Sequence, residues 1–362
     1  MSPFFMKNIL YFFLIFFLIG CDAEDSSSDL NESDNLVKDS VVVNSNIKAI
    51  SLSEIENYII QKPESSNGYY KRAIHYKEIK KFNLAIEDIN RAISISPDAP
   101  IINYEKAAIL YEYGVFSQDV SLIDESKIYL NHCISLDENF VLSKLLKAKL
   151  LLFEKKTDES MVLVNDVLKL NSTNAEAYLI KGMIYNLLGN TELAQSSYQT
   201  AIEVNPDYYD AYILLGILHE KLGNNIAINY YNSAAEVNPN GIEAYRNRGL
   251  FYHFNQEYAL ARISFEKVIE IDSTFEEAYF NIGNTFLGEY AIDTADADKY
   301  VSEAMLFYNK AISINPYYVQ AIHNTGVCYE IKGQKLKAKE QYLSAVKLDN
   351  NYTPSLNALN DL

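Results

Sequence analysis

The chain is 362 residues long, with 48 Asp and Glu against 31 Lys and Arg and a formal net charge of -17. A surface that negative repels phosphate backbones, which disfavours nucleic acid as a partner. Hydrophobic residues at 49% and charged residues at 22% describe a chain able to fold, and three Cys are too few for a disulfide framework.

The chain opens with an unbroken apolar run, Ile9 to Ile19, preceded by Lys7 and followed by Gly20 and Cys21. As a helix these eleven residues reach roughly 17 Å, short of the ~30 Å hydrocarbon core. A basic residue, an apolar stretch and a small residue, in that order, are the plan of a secretory signal peptide over 1–20. Met6-Lys7-Asn8 reads as a more typical start than Met1. The ending Leu18-Ile19-Gly20-Cys21 resembles a bacterial lipobox, which implies acylation of Cys21, palmitate included, and a lipid anchor in the outer membrane of the cell envelope. Residues 22–40 then carry seven acids and one Lys, too polar to bury a core, so 21–50 reads as an acidic flexible tether. Such a stretch after a lipidated cysteine is similar to the signals of surface-exposed lipoproteins, and it serves equally as a plain linker, leaving the periplasmic and surface faces both open.

From residue 51 onward the pattern is periodic. Leu52, Ile55 and Ile59 share one helical face, and Ser53 with Glu56 has the spacing of a capping box, so 51–65 reads as an N-terminal capping half-repeat. Tyr178, Gly182, Tyr185, Gly189, Ala194, Tyr198, Ala201 and Pro206 then recur as Tyr212, Gly216, His219, Gly223, Ala227, Tyr231, Ala234 and Pro239. The same spacing returns from Tyr245 and from Ile322. Large and small residues alternate along each helix, so two helices approach closely where the small one sits, and a proline ends the second helix. This 34-residue pattern resembles the tetratricopeptide repeat, with Tyr at the position of its usual first Trp. The resemblance implies an all-α superhelical solenoid of about eight helix-turn-helix repeats over 66–352, bounded at 66, 100, 141, 175, 209, 242, 276 and 319. The second and seventh repeats are long, with extra residues around 114–122 and 288–302, expected as exposed loops or helix extensions. Thr353 and Pro354 suit the start of a C-terminal capping helix over 353–362.

The array leaves no stretch for a separate catalytic domain, and the five His are scattered with no pair at metal-ligand spacing. No phosphate loop or nucleophile elbow is present, so neither enzyme activity nor a cofactor is expected. Asp293, Asp296 and Asp298 lack the glycine and further oxygen ligand of a calcium loop and read as a solvated acidic turn. Cys133 and Cys328 fall at small-residue positions and read as buried hydrophobes.

The resemblance further implies a protein or peptide partner held in a concave groove. There the residues following Tyr245, Tyr279 and Ile322 point inward: Arg246-Asn247, Phe280-Asn281 and His323-Asn324, with Asn284 one turn on. Three Asn at one repeat position would form a ladder able to bond the backbone of an extended peptide, outside the core, with Arg246 offering a fork to a carboxylate. An apolar stretch of Leu142, Leu145, Leu179 and Ile213 is the second candidate. The reading is a lipid-anchored envelope scaffold, with a glycan- or peptidoglycan-associated binder, or an accessory subunit of a separate envelope enzyme, as the alternatives.

Overall fold

The computed structural model describes residues 51–362, and every regular element in that span is an α-helix. The signal peptide, Cys21 and the tether lie outside the described residues. Contacts divide the chain into two compact units, Met1–Pro206 and Asp207–Leu362. The described part of the first holds α1 (Leu52–Gln61), α2 (Ser66–Glu78), α3 (Phe82–Ile95), α4 (Pro100–Ser117), α5 (Val120–Leu136), α6 (Val141–Phe153), α7 (Thr157–Leu170), α8 (Ala175–Leu187) and α9 (Thr191–Val204). The second holds α10 (Tyr209–Lys221), α11 (Ala227–Val237), α12 (Ile242–Phe254), α13 (Tyr258–Ile271), α14 (Glu276–Ile292), α15 (Ala297–Ile314), α16 (Val319–Ile331), α17 (Lys335–Leu348) and α18 (Thr353–Asp361).

Each repeat is a pair of these helices, locked by one small residue against one large one. In the second unit the small residue is glycine and the large one aromatic. A Cβ added at Gly216 would stand 2.3 Å from the Tyr231 ring, at Gly249 2.5 Å from Phe265, at Gly283 2.5 Å from Tyr308 and at Gly326 2.5 Å from Tyr342. Gly182 meets Tyr198 in the same way in the first unit. The earlier repeats reach the same end with other sizes: Ala73, Ala107 and Ala148 share their core clusters with Ile89, Leu130 and Val164. Volume is conserved across the contact while its two halves trade size, as a close-packed interior requires.

The turn inside most of the repeats uses a left-handed residue. Gly189, Gly223 and Gly333 take it at φ 77°, 69° and 69°, whereas Lys80, Lys155 and Gln256 hold the equivalent position at φ 56°, 60° and 63°, a conformation that costs a non-glycine residue roughly 1–2 kcal/mol. Between repeats an Asn or Asp closes the turn: Asn171, Asn238, Asp272, Asn315 and Asp349 each accept the N–H two residues on, at 2.8–3.1 Å.

Two local expectations are corrected. The capping box of α1 is Ser51 with Glu54, two residues earlier than Ser53 with Glu56, because Ser51 stands in extended backbone just ahead of the helix. Tyr352 precedes α18 as its N-cap, so Thr353 is already helical and Pro354 lies in the first turn, where its missing N–H costs nothing. The extra residues of repeats two and seven lengthen α4, α5, α14 and α15 to 17 or 18 residues, leaving only short turns. Cys133 and Cys328 are buried thiols, and burial pushes them up to about 11 and about 12.

Candidate functional site

The expected partner-binding residues all lie on α12, α14 and α16, the first helices of their repeats. Arg246 is already occupied. Its Nε donates to Glu277 Oε1 at 2.9 Å, its Nη2 stands 2.6 Å from the same oxygen, and its Nη1 reaches Asn247 Oδ1 at 3.4 Å. The carboxylate expected from a partner is the chain's own, because the fifth position of one repeat faces the second position of the next. A half-buried pair of this kind contributes little stability, about 0–1 kcal/mol, but it commits the guanidinium.

Asn247 and Asn281 are not outside the core; they are 4% and 8% exposed. Their sixth repeat position faces the adjacent first helix, as Glu105 shows by standing 2.9 Å from Lys77 of the preceding repeat. The amide nitrogen of Asn281 has no hydrogen-bond partner there. Asn284 and Asn324 are joined into one cluster: Asn284 Oδ1 accepts from Asn324 Nδ2 at 2.9 Å and from the Tyr308 hydroxyl at 2.8 Å. The ladder of equivalent rungs is therefore replaced by two separate groupings, Arg246 with Asn247 and Asn284 with Asn324, and a solitary Asn281.

Phe280 lies tilted between the rings of Tyr308 and Tyr318, at 5.8 and 5.0 Å. His323 shares a hydrogen bond with Ser355 Oγ of α18 at 2.9 Å, and burial holds its imidazole below the usual histidine range. His253 is lowered for the same reason, and its Nδ1 lacks a partner. Glu277, Tyr308 and His253 escaped sequence reasoning because each meets its neighbours from another helix. Arg246 and Glu277 are 31 residues apart, and comparing the fifth position of each repeat with the second of the next would have flagged them.

The second candidate does not offer a docking face, since Leu145, Leu179 and Ile213 are all buried. The lengthened α14–α15 hairpin and the α12–α13 turn border a cleft of about 440 Å³, lined among others by Glu257, Tyr258, Ile292, Asp293 and Tyr300. Among the described residues no group of three or more His, Cys, Asp or Glu could hold a metal ion, and no helix is long and apolar enough to cross a membrane.

These features define a helical solenoid of the tetratricopeptide type. A family profile described as tetratricopeptide repeat matches residues 66–99, 242–275 and 319–352, and a second, described as TPR repeat, matches 182–223. No curated protein sequence matches the chain. Among solved structures, the Cut9–Hcn1 hetero-tetramer of the APC/C is 16% identical, with 84% of this chain and 58% of that one covered and a TM-score of 0.53. PilF of Pseudomonas aeruginosa is 13% identical over 62% of this chain and 99% of its own, and the type IV pilus biogenesis factor PilW 17% identical over 60% and 97%, each with a TM-score of 0.50. At these identities the likeness is one of fold.

Proposed function

We propose that this chain is a lipid-anchored scaffold of the bacterial cell envelope, attached through Cys21, that holds a protein or peptide in the groove formed by α12, α14 and α16. It acts without catalysis of its own. The observation that supports the groove reading is the recurrence in one register of the first helices α12, α14 and α16, two of which fall inside matches to the tetratricopeptide profile. The surrounding side chains are positioned by each other, which makes the groove rigid before a partner arrives, and rigidity lowers the entropy cost of binding. The lipobox-like Leu18-Ile19-Gly20-Cys21 supports the anchor, and two or more acyl chains hold a protein stably where one does so only marginally.

A pulldown from crosslinked envelopes tests the function: recovered protein partners support scaffolding, and enriched muropeptides would transfer the role to glycan binding. For the anchor, a Cys21→Ser variant should accumulate as unprocessed precursor. Normal processing and membrane sedimentation of that variant would remove the lipid from the account.

A further inference from the structure

The cleft between the α12–α13 turn and the α14–α15 hairpin is built by the extra length of repeat seven. Its far wall, Glu289, Ile292, Asp293 and Tyr300, falls wholly within the added stretch around 288–302. The near wall depends on a glycine: a Cβ at Gly288 would stand 2.4 Å from the Tyr258 ring, so only a bare position lets that ring close against α14. Arg262 is spent within the wall itself. It donates to Glu289 at 2.8 Å and to Thr285 at 3.3 Å, with its guanidinium 4.5 Å from the Phe286 ring centre. The space of about 440 Å³ is left with the carboxylates of Glu257 and Asp293 and the rings of Tyr258 and Tyr300, and among the described residues that line it there is no Lys or Arg.

The first two repeats, the other pair with a lengthened second member, fill the same place from within the chain. Counting from Ala73 and Gly249, Lys80 corresponds to Gln256 and Lys81 to Glu257; counting from Ala107 and Gly283, Tyr113 corresponds to Glu289 and Phe116 to Ile292. The turns match in backbone as well, with Lys80 at φ 56° and Gln256 at φ 63°. In the first pair the Lys80 ammonium stands 5.9 Å from the centre of the Phe116 ring, where the negative face of the ring attracts it. In repeats six and seven both lysines are gone and two carboxylates have been gained, Glu257 for Lys81 and Glu289 for Tyr113. The place that holds the chain's own cation in one pair is acidic and without one in the other. Leu260 and Ile292, 41% and 64% exposed, add an apolar flank against which an aliphatic stem can lie.

We infer that this cleft binds an organic cation, an ammonium or guanidinium group on an aliphatic stem, with its charge toward Glu257 and Asp293 and its stem against Tyr258, Tyr300 and Ile292. The site stands apart from the groove of α12, α14 and α16 and does not depend on it. Two sources carry that chemistry, a free polyamine and a Lys or Arg side chain of a partner protein.

Isothermal titration of the full chain in detergent tests this with four probes: N-acetylarginine amide, its uncharged isostere N-acetylcitrulline amide, spermidine, and a capped Gly-Gly-Arg-Gly-Gly peptide. The arginine amide should bind about tenfold more tightly than the citrulline amide, since only the first carries the charge that two carboxylates and two rings attract. Glu257→Gln and Asp293→Asn should each weaken it by about fivefold, the upper end for an exposed ion pair. Glu340→Gln, an exposed acid on α17 outside the cleft, should leave the affinity unchanged. Gln256→Lys with Ile292→Phe rebuilds the Lys80 and Phe116 pair and should abolish binding without lowering the melting midpoint, because both positions are exposed. Tighter binding of spermidine than of the peptide supports the cleft with a free polyamine as its ligand, and the reverse supports it with a partner's side chain. Equal affinity for the arginine and citrulline amides, an equal loss in Glu340→Gln, retained binding in the double variant, or no binding of any cationic probe overturns the inference.

Discussion

Replacing Gly216 by alanine adds one methyl group at the tightest helix contact of the second unit. The new Cβ would stand 2.3, 2.6 and 2.9 Å from three atoms of the Tyr231 ring, which is fully buried and cannot retreat into solvent. Overpacking of this kind costs about 1–3 kcal/mol. Any shift of the ring also strains the Tyr231 hydroxyl bond to Glu220, 2.7 Å long, worth about 1.5–3 kcal/mol when the acceptor is charged. Alanine recovers about 1 kcal/mol of helix propensity in return. The net expectation is a loss of about 2 kcal/mol. For a unit of this size that is a fall of about 4–8 °C in the melting midpoint followed by circular dichroism. A second variant decides whether sterics are the cause. In a Tyr231→Leu background, which has already lost the bond to Glu220, the same Gly216→Ala change rebuilds the Ala107 and Leu130 combination of the second repeat, which shares one core cluster, and should raise the midpoint. If the single variant melts like wild type, or the change lowers the midpoint in the Tyr231→Leu background as well, the packing rule is wrong.

Asn284→Leu should lower the melting midpoint, because it strands the Tyr308 hydroxyl proton and leaves Asn324 Nδ2 only its 3.3 Å bond to the Tyr308 hydroxyl oxygen; about 1–3 kcal/mol for the unmet buried group is expected, and an unchanged midpoint would refute the cluster's contribution to stability. Stability should also fall as pH drops through about 6.5. His253 and His323 are lowered by burial, so the unfolded chain binds their protons first and acid favours unfolding. Neutralising a chain of net charge -17 works the other way, so the readout is the difference in pH slope between wild type and a His253→Phe, His323→Gln variant, whose slope should be shallower; equal slopes would refute the histidine contribution.

The helical architecture was legible because it rests on recurrence within single helices. Gly216 four residues after Tyr212, and the same step from Tyr245 to Gly249, mark a large and a small residue on one face whatever the rest of the fold does. The site was legible only as a set of positions. Whether Asn281 lies in the groove or against α12 depends on how far one first helix is rotated toward the next, and no local pattern encodes that angle. Arg246 looked free for the same reason: its partner Glu277 belongs to another repeat, and periodicity within one repeat says nothing about pairs across two. The capping residue of α1 was misplaced by two positions because Ser51 and Ser53 both precede a Glu three residues on, and only backbone conformation distinguishes them.

Site-specific photocrosslinking in intact cells tests the groove most directly. A crosslinking amino acid at Leu250 or Val327, which hold the repeat position of Asn284 on α12 and α16, should give a discrete adduct with a partner protein. The same residue at Ile263 or Leu306, exposed on the second helices α13 and α15, should give none. Adducts at Ile263 and Leu306 with nothing at Leu250 and Val327 would place the partner on the opposite face and contradict the account.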